Sequence, residues 1–234
     1  RMRSAIKNSG LEFPSTRRIT VNLAPANLRK EGSAYDLPMT VAILLAQMGK
    51  KQTASFDPAN TLLVGELSLE GGLRHTTGVL SAAIFAKDRG IKTIFIPVAN
   101  LAEASLVESL QIIPLQNLKQ LVDHILGQKL IPPAEGRILD QALARTMTTD
   151  LDLSLVRGQE HVKRVLEIAA AGGHNLLMTG TPGAGKTMLA RAFRTILPRM
   201  TMAEILEVTK IYSVAGLLPT DRPLIIDRPF RSPH

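Results

Sequence analysis

The chain has no cysteine and no tryptophan, and only two tyrosines and six phenylalanines among 234 residues. Without cysteine there are no disulfides, no thiolate metal sites and no cysteine nucleophile, a usage that fits a reducing, cytoplasmic setting. So few aromatics leave little scope for nucleic-acid contact through stacked bases. Also lacking is any apolar run near the roughly 18 to 20 residues that a membrane helix needs, so no membrane partner is expected. The opening "RMRSAIKNSG" has none of the apolar core of a signal peptide. It begins on Arg1 rather than Met, and further sequence upstream is expected.

The composition that remains is that of a globular protein. Hydrophobic residues make up 45% and charged residues 21%, enough to bury a core in one large domain or two modest ones. The net charge is +8, and residues 1–127 and 128–234 each carry 14 Lys+Arg against 10 Asp+Glu. The basic bias therefore belongs to the whole chain. It favours polyanion partners through encounter rate and salt dependence, without naming one.

Residues 1–127 alternate strand-like and helix-like stretches, the grammar of an α/β domain. "RRITVNLAP" (17–25) has the alternation of a strand, and "LPMTVAILLAQMG" (37–49) has helical spacing ending on Gly49. "TLLVGELSLEGG" (61–72) predicts two short strand pieces broken near Gly65. A helix over 78–90, a buried strand "KTIFIPV" (92–98), and the segments "NLAEASLVESL", "QIIPL" and "NLKQLVDHILG" (100–127) continue the alternation. Residues 128–150, interrupted by two prolines and a glycine, read as a linker with a short helical stretch. A second domain is expected over 151–234.

Within it, "GTPGAGKT" (180–187) matches G-x-x-x-x-G-K-[ST]. "HNLLMTG" before it suits a buried parallel strand. "KTMLARAFRTIL" after it predicts an amphipathic helix with Leu189, Ala192, Phe193 and Ile196 on one face. Gly183 and Gly185 let backbone amides turn toward phosphates, and the helix N-terminus adds partial positive charge. Lys186, the catalytic candidate, would reach the β- and γ-phosphates, and the Thr187 hydroxyl would ligate Mg²⁺. Gly180, Thr181, Pro182, Gly183, Ala184, Gly185, Lys186, Thr187 and Met188 are thus the expected binders of ATP. A leucine or methionine at position 186 would pack equally well, so the lysine itself argues for an anion.

Upstream, "VRGQEHVKRVLEIAAAGGHNLLMTG" resembles the lead-in of AAA+ ATPases, whose Gly-Gln pair sits near the adenine. The wording "GQE…VKR…LEIAAAGGHN" is similar to the magnesium-chelatase-subunit-I-like branch. That resemblance, which covers essentially the whole chain, implies that Val156, Gly158 and Gln159 flank the base, while 162–170 packs as an ordinary amphipathic helix. "PLIID" (223–227) looks at first like a Walker B strand, but Arg228 stands where the catalytic Glu belongs and proline flanks the run. Asp227 is therefore expected in a loop. "RPFRSPH" (228–234) resembles the family's segment before its Walker B strand, so the chain is expected to be the front of a larger machine. As it stands it is expected to hydrolyse ATP poorly, and His234 is taken as a terminal, exposed residue.

"KEGSAYDLPMTVAILLA" (30–46) and "GELSLEGGLRHTTGVLSAAIFAKDRGIKTIFIPVANLAEA" (65–104) together resemble the Lon-protease-like fold. That family's catalytic Ser would fall near Ala34 or Tyr35, with Ser33 slipped by a residue, and its Lys near Leu80. No lysine lies between Gly72 and Ala86, so an accessory domain rather than a protease is implied.

Three functions stay open at this stage. The resemblance implies a homo-hexameric, DNA-dependent helicase acting on single-stranded or branched DNA. Arg17, Arg18, Arg29, Lys30, Lys50, Lys51, Arg191, Arg194 and Arg199 are its candidate phosphate contacts. A second possibility is an ATPase subunit that remodels a protein or metal-chelatase partner. The third is a non-enzymatic or proteolytic role for residues 1–127 alone.

Overall fold

The computed structural model describes residues 1–23, 32–48, 53, 56–134, 152–219 and 222–232. Arg29, Lys30, Lys50, Lys51, Gly49, His234 and the linker's helical stretch lie outside the described residues. The chain divides into two compact units: Arg1–Ala142 with Thr209–Pro223, and Leu143–Val208 with Leu224–His234.

The first unit is α/β. Its elements are α1 (Met2–Asn8), α2 (Asp36–Gln47), β1 (Thr61–Leu63), β2 (Glu66–Leu67), β3 (Leu73–Arg74), α3 (Val79–Asp88), β4 (Thr93–Pro97), α4 (Leu101–Ala104), β5 (Gln111–Leu115) and α5 (Leu118–Ile125). Strands β1, β4 and β5 form a parallel sheet in the order β1-β4-β5, while β2 and β3 form a separate antiparallel pair. The central strand β4 is buried through Ile94, Phe95 and Ile96, the continuous apolar run expected of a parallel strand covered on both faces. In register it sets Leu62 beside Ile94, and Ile94 beside Ile112.

Helical spacing decides what covers the sheet. Leu37, Val41 and Leu44 put one face of α2 into the core, and Leu118, Leu121, Val122 and Ile125 do the same for α5. These residues join Ala5 and Ile6 of α1, Phe95 and Leu115 in one cluster. Asn117 starts α5 by accepting the Gln120 N–H at 2.9 Å, satisfying one of the helix's orphan donors. At the β2–β3 turn the backbone of Gly71 has φ +84°, and a Cβ there would lie 2.1 Å from Ser9 Oγ. Only glycine fits.

Residues 17–23 are a correction to the sequence reading, because no strand forms there among the described residues. Ile19, Val21 and Leu23 do alternate, but all three are exposed. Alternation makes a strand only where a neighbour takes up the backbone hydrogen bonds, and none is paired with this segment among the described residues.

In the second unit, α6 (Glu160–Gly172) and α7 (Lys186–Ile196) pack around Leu153, Val156, Leu166, Leu189 and Ala192, with Phe193 and Ile196 at the margin. The expected apolar face of α7 is therefore the face it buries. The expected strand at 174–180 is a second correction. Leu176 and Met178 touch the cluster, but Leu177 is 89% exposed and no ladder forms. The period of two is present, and a partner strand is not found among the described residues.

The helix α8 (Met202–Val214) was not anticipated. Its start carries a reciprocal pair in which Glu204 accepts from Thr201 N–H at 2.7 Å while Glu204 N–H donates to Thr201 Oγ1 at 3.3 Å. These bonds, with nearby Arg228, hold the Glu204 carboxyl below its ordinary range. Arg228 Nε also donates to the Pro198 carbonyl at 2.8 Å, and Asp227 lies outside any strand. The boundary between units falls within α8, whose residues from Thr209 onward belong to the first.

A pH response follows from α5. His124 packs edge-on against Phe95, and its Nδ1 accepts the Ile131 N–H at 3.0 Å, which requires the neutral ring. Burial lowers its pKa below 6.5. The stabilisation is complete above pH 6.5 and is lost as pH falls from there through the lower folded value. Urea unfolding at about pH 7.5 and about pH 5 should show this loss, with a flatter profile for His124→Gln.

Candidate functional site

The residues singled out for nucleotide chemistry come together at one end of α7. Gly185, at φ +82°, is the N-cap of that helix, and no side chain caps it. The first-turn amides of α7 are consequently left without intrahelical acceptors, and the helix dipole adds positive potential at the same point. Gly183 takes a similar left-handed conformation at φ +83°, and a Cβ there would meet nothing within 4 Å. Thr181, Pro182, Gly183 and Ala184 are exposed, so the loop offers its backbone to solvent.

Lys186 folds over this loop. Its Nζ donates to the carbonyls of Gly180 at 2.9 Å and Thr181 at 2.8 Å, which fixes the ammonium at the loop's mouth. The Thr187 side chain is exposed one residue further on, followed by Met188, also exposed. The loop is braced internally by Ala184 N–H donating to the Thr181 carbonyl at 3.3 Å.

The second edge comes from the start of α6. Gly158 and Gln159 are both left-handed, at φ +70° and +56°, and Gln159 is the N-cap of α6. A non-glycine residue in that conformation is uncommon and marks a turn held by its surroundings. Here the Gln159 Nε2 donates to the Ala184 carbonyl at 3.3 Å, joining two segments 25 residues apart. Val156 is different. It is buried in the cluster with Leu189, so its side chain packs beneath the loop rather than lining it.

Nothing in the motif pattern indicated that Gln159 would touch the loop itself, and the signal for it is the Gly-Gln pair ahead of an amphipathic helix. Arg191 and Arg199 are exposed, Arg194 is half-buried, and Arg17 and Arg18 are exposed in the first unit. At the Lon-like positions, Ser33 Oγ donates to Glu66, Tyr35 is exposed, Ala34 is half-buried and Leu80 is fully buried in the core. Ser33 is thus bonded to a carboxylate, and Leu80 stands near where the Lon resemblance would put a lysine. Among the described residues no helix is long and apolar enough to cross a membrane.

With that geometry in place, family comparison identifies the class. Residues 1–100 match the family model described as subunit ChlI of Mg-chelatase, and residues 152–234 match magnesium chelatase, subunit ChlI. The chain belongs to the magnesium-chelatase-subunit-I-like family of AAA+ ATPases. Over its whole length it is 45% identical to the YifB protein of Salmonella typhimurium and 40% identical to the competence protein ComM of Haemophilus influenzae. It spans 44% and 45% of those relatives' lengths. A shorter stretch, 34% of this chain, is 33% identical to 13% of the archaeal Lon protease of Thermococcus kodakarensis. That likeness agrees with the α/β architecture of the first unit.

The left-handed N-cap sets a measurable cost. Gly185→Ala should lower the unfolding free energy by about 1–3 kcal/mol, because an L side chain is strained at that φ. Thr187→Val, at an exposed position, should stay within about 0.5 kcal/mol of the wild type. Urea titration of the two variants checks both values.

Proposed function

We propose that this chain is the ATP-binding part of a DNA-dependent AAA+ motor, a helicase of the ComM kind acting on single-stranded or branched DNA as a homo-hexamer in the cytoplasm. The observation that carries the nucleotide reading is the uncapped N-terminus of α7 with the Lys186 ammonium beside it. The backbone amides around Gly183 and Gly185 would hold the phosphates, with Thr181, Pro182 and Ala184 shaping the loop. Lys186 would exchange its two carbonyl partners for β- and γ-phosphate oxygens. Thr187 would ligate Mg²⁺, and Met188 would border the same first turn. Gly158 and Gln159 would flank the base, positioned by Val156 beneath them. When bound, Mg²⁺-ATP supplies the phosphoryl group whose hydrolysis drives the motor. The residues present fit such a ligand: an exposed glycine-rich loop, a cation, a hydroxyl and orphan amides all converge.

The domain division proposed with this reading is a Lon-like accessory domain over 1–127, a linker over 128–150, and the first part of the AAA+ domain over 151–234. Hydrolysis is proposed for the complete protein. Support for DNA comes from the net charge of +8 and from the competence role in the name of one relative. The exposed Arg17, Arg18, Arg191 and Arg199, with Arg194, are the phosphate contacts of this reading. The family description itself favours a second reading, in which the same ATPase remodels a protein or metal-chelatase partner.

Two outcomes are expected of the complete protein. Forked DNA should raise its ATPase rate, and the rise should shrink steeply as salt increases, because each phosphate contact releases a counterion. Lys186→Ala should cut the rate by about 10²-fold or more, as loss of a preorganised transition-state contact does. A rate that falls in Lys186→Ala but ignores DNA would move the assignment to the partner-remodelling reading.

A further inference from the structure

The first unit contains a buried carboxylate that the nucleotide reading does not use. Glu103, in α4, is 4% exposed. Among the described residues Asn100 Nδ2 donates to its Oε1, and Ser213 Oγ donates to its Oε2 at 2.7 Å. Asn100 is itself fixed, accepting the Thr76 N–H at 3.0 Å and donating to the Thr76 carbonyl at 2.8 Å. Thr76 Oγ1 in turn accepts the Glu66 N–H at 3.1 Å. The network therefore sets Oε1 from within the α/β fold and leaves Oε2 for a donor from elsewhere in the sequence.

That donor arrives on the last turn of α8, 110 residues away. Around it the fit is close. Gly78 N–H donates to the Ser213 carbonyl at 3.2 Å, and Val214 lies beside Gly78. The chain then turns at Gly216, φ +68°, where a Cβ would come within 3.2 Å of Thr77 Cγ2. Leu218, Pro219 and Pro223 close over His75, Ala102 and Glu103, leaving a crevice of about 10 Å³. That is no more than a water-sized gap.

We propose that this surface of the first unit is a releasable docking site for the segment Thr209–Pro219, with Glu103 as the recognition group and the Ser213 hydroxyl as its ligand. In this role the Lon-like unit holds a peptide segment instead of cleaving one. A carboxylate suits release, because water can take the place of Ser213 Oγ when the segment leaves. An aliphatic side chain at position 103 would instead make departure expose apolar surface. The inference stands independently of what the phosphate loop binds.

Amide hydrogen exchange on the full chain tests it. Ser213→Ala removes the donor and leaves a buried anionic oxygen unsatisfied, so amides of 210–217 should exchange at least ~10-fold faster while those of β4 and α5 are unchanged. The double variant Glu103→Gln with Ser213→Ala keeps an acceptor for Asn100 and removes the stranded carboxylate, so its rates should lie nearer to wild type than those of Ser213→Ala. Unchanged exchange at 210–217 in Ser213→Ala would overturn the proposal. So would acceleration spread equally over β4 and α5, since that would be general destabilisation and not local release. Should the double variant fail to fold, Ser213→Ala alone decides.

Discussion

The packing of Leu189 and Ala192 on Leu153, Val156 and Leu166 is the contact on which the candidate site depends. A phosphate loop has almost no side chains of its own with which to hold a shape. Its geometry is inherited from the helix it opens and from whatever that helix rests upon. Here one apolar cluster fixes α7, and through Val156 it also fixes the approach to Gly158 and Gln159. The bond from Gln159 to the Ala184 carbonyl then sets the two edges of the site against each other. A substitution at Leu166, remote from the loop in sequence, would loosen the site more than many changes within it.

The first unit is held instead by side-chain packing around a sheet. Its sheet, its covering helices and its β2–β3 turn are all built by ordinary rules of burial and steric fit. Leu80, near where the Lon resemblance would put a lysine, is buried in the core, while Ser33 is bonded to Glu66. Four of its buried polar residues, Asn100, Glu103, Thr76 and Ser213, are joined to one another by hydrogen bonds. Such a network is stable only when every member is paired, which makes it more specific than an apolar core of equal size.

Much of this was legible in the sequence, and the failures share one cause. The strands β4 and β5, the helices α2, α3 and α5, and the buried face of α7 follow from local period and composition. The glycine-rich loop that opens α7 was legible because closely spaced glycines between two apolar stretches predict a turn into a helix. Residues 17–23 and 174–180 have the correct alternation and form no strand, since a strand is completed by a neighbour that period alone does not supply. The helix α8 is not legible from period, because its apolar residues lie all around it and define no face. The contact between Glu103 and Ser213 spans 110 residues, and no local pattern encodes a pairing at that distance.

The posture of Lys186 carries a thermodynamic consequence. Its ammonium is already solvated by protein, through two carbonyls of the loop it guards. An incoming anion does not meet a bare charge, and it gains only the difference between its own bonds and those it displaces. The loop is correspondingly ordered in advance, so little conformational entropy is left to lose on association. Affinity at such a site is set by exchange of partners more than by capture of a charge, which favours rapid release as much as tight hold.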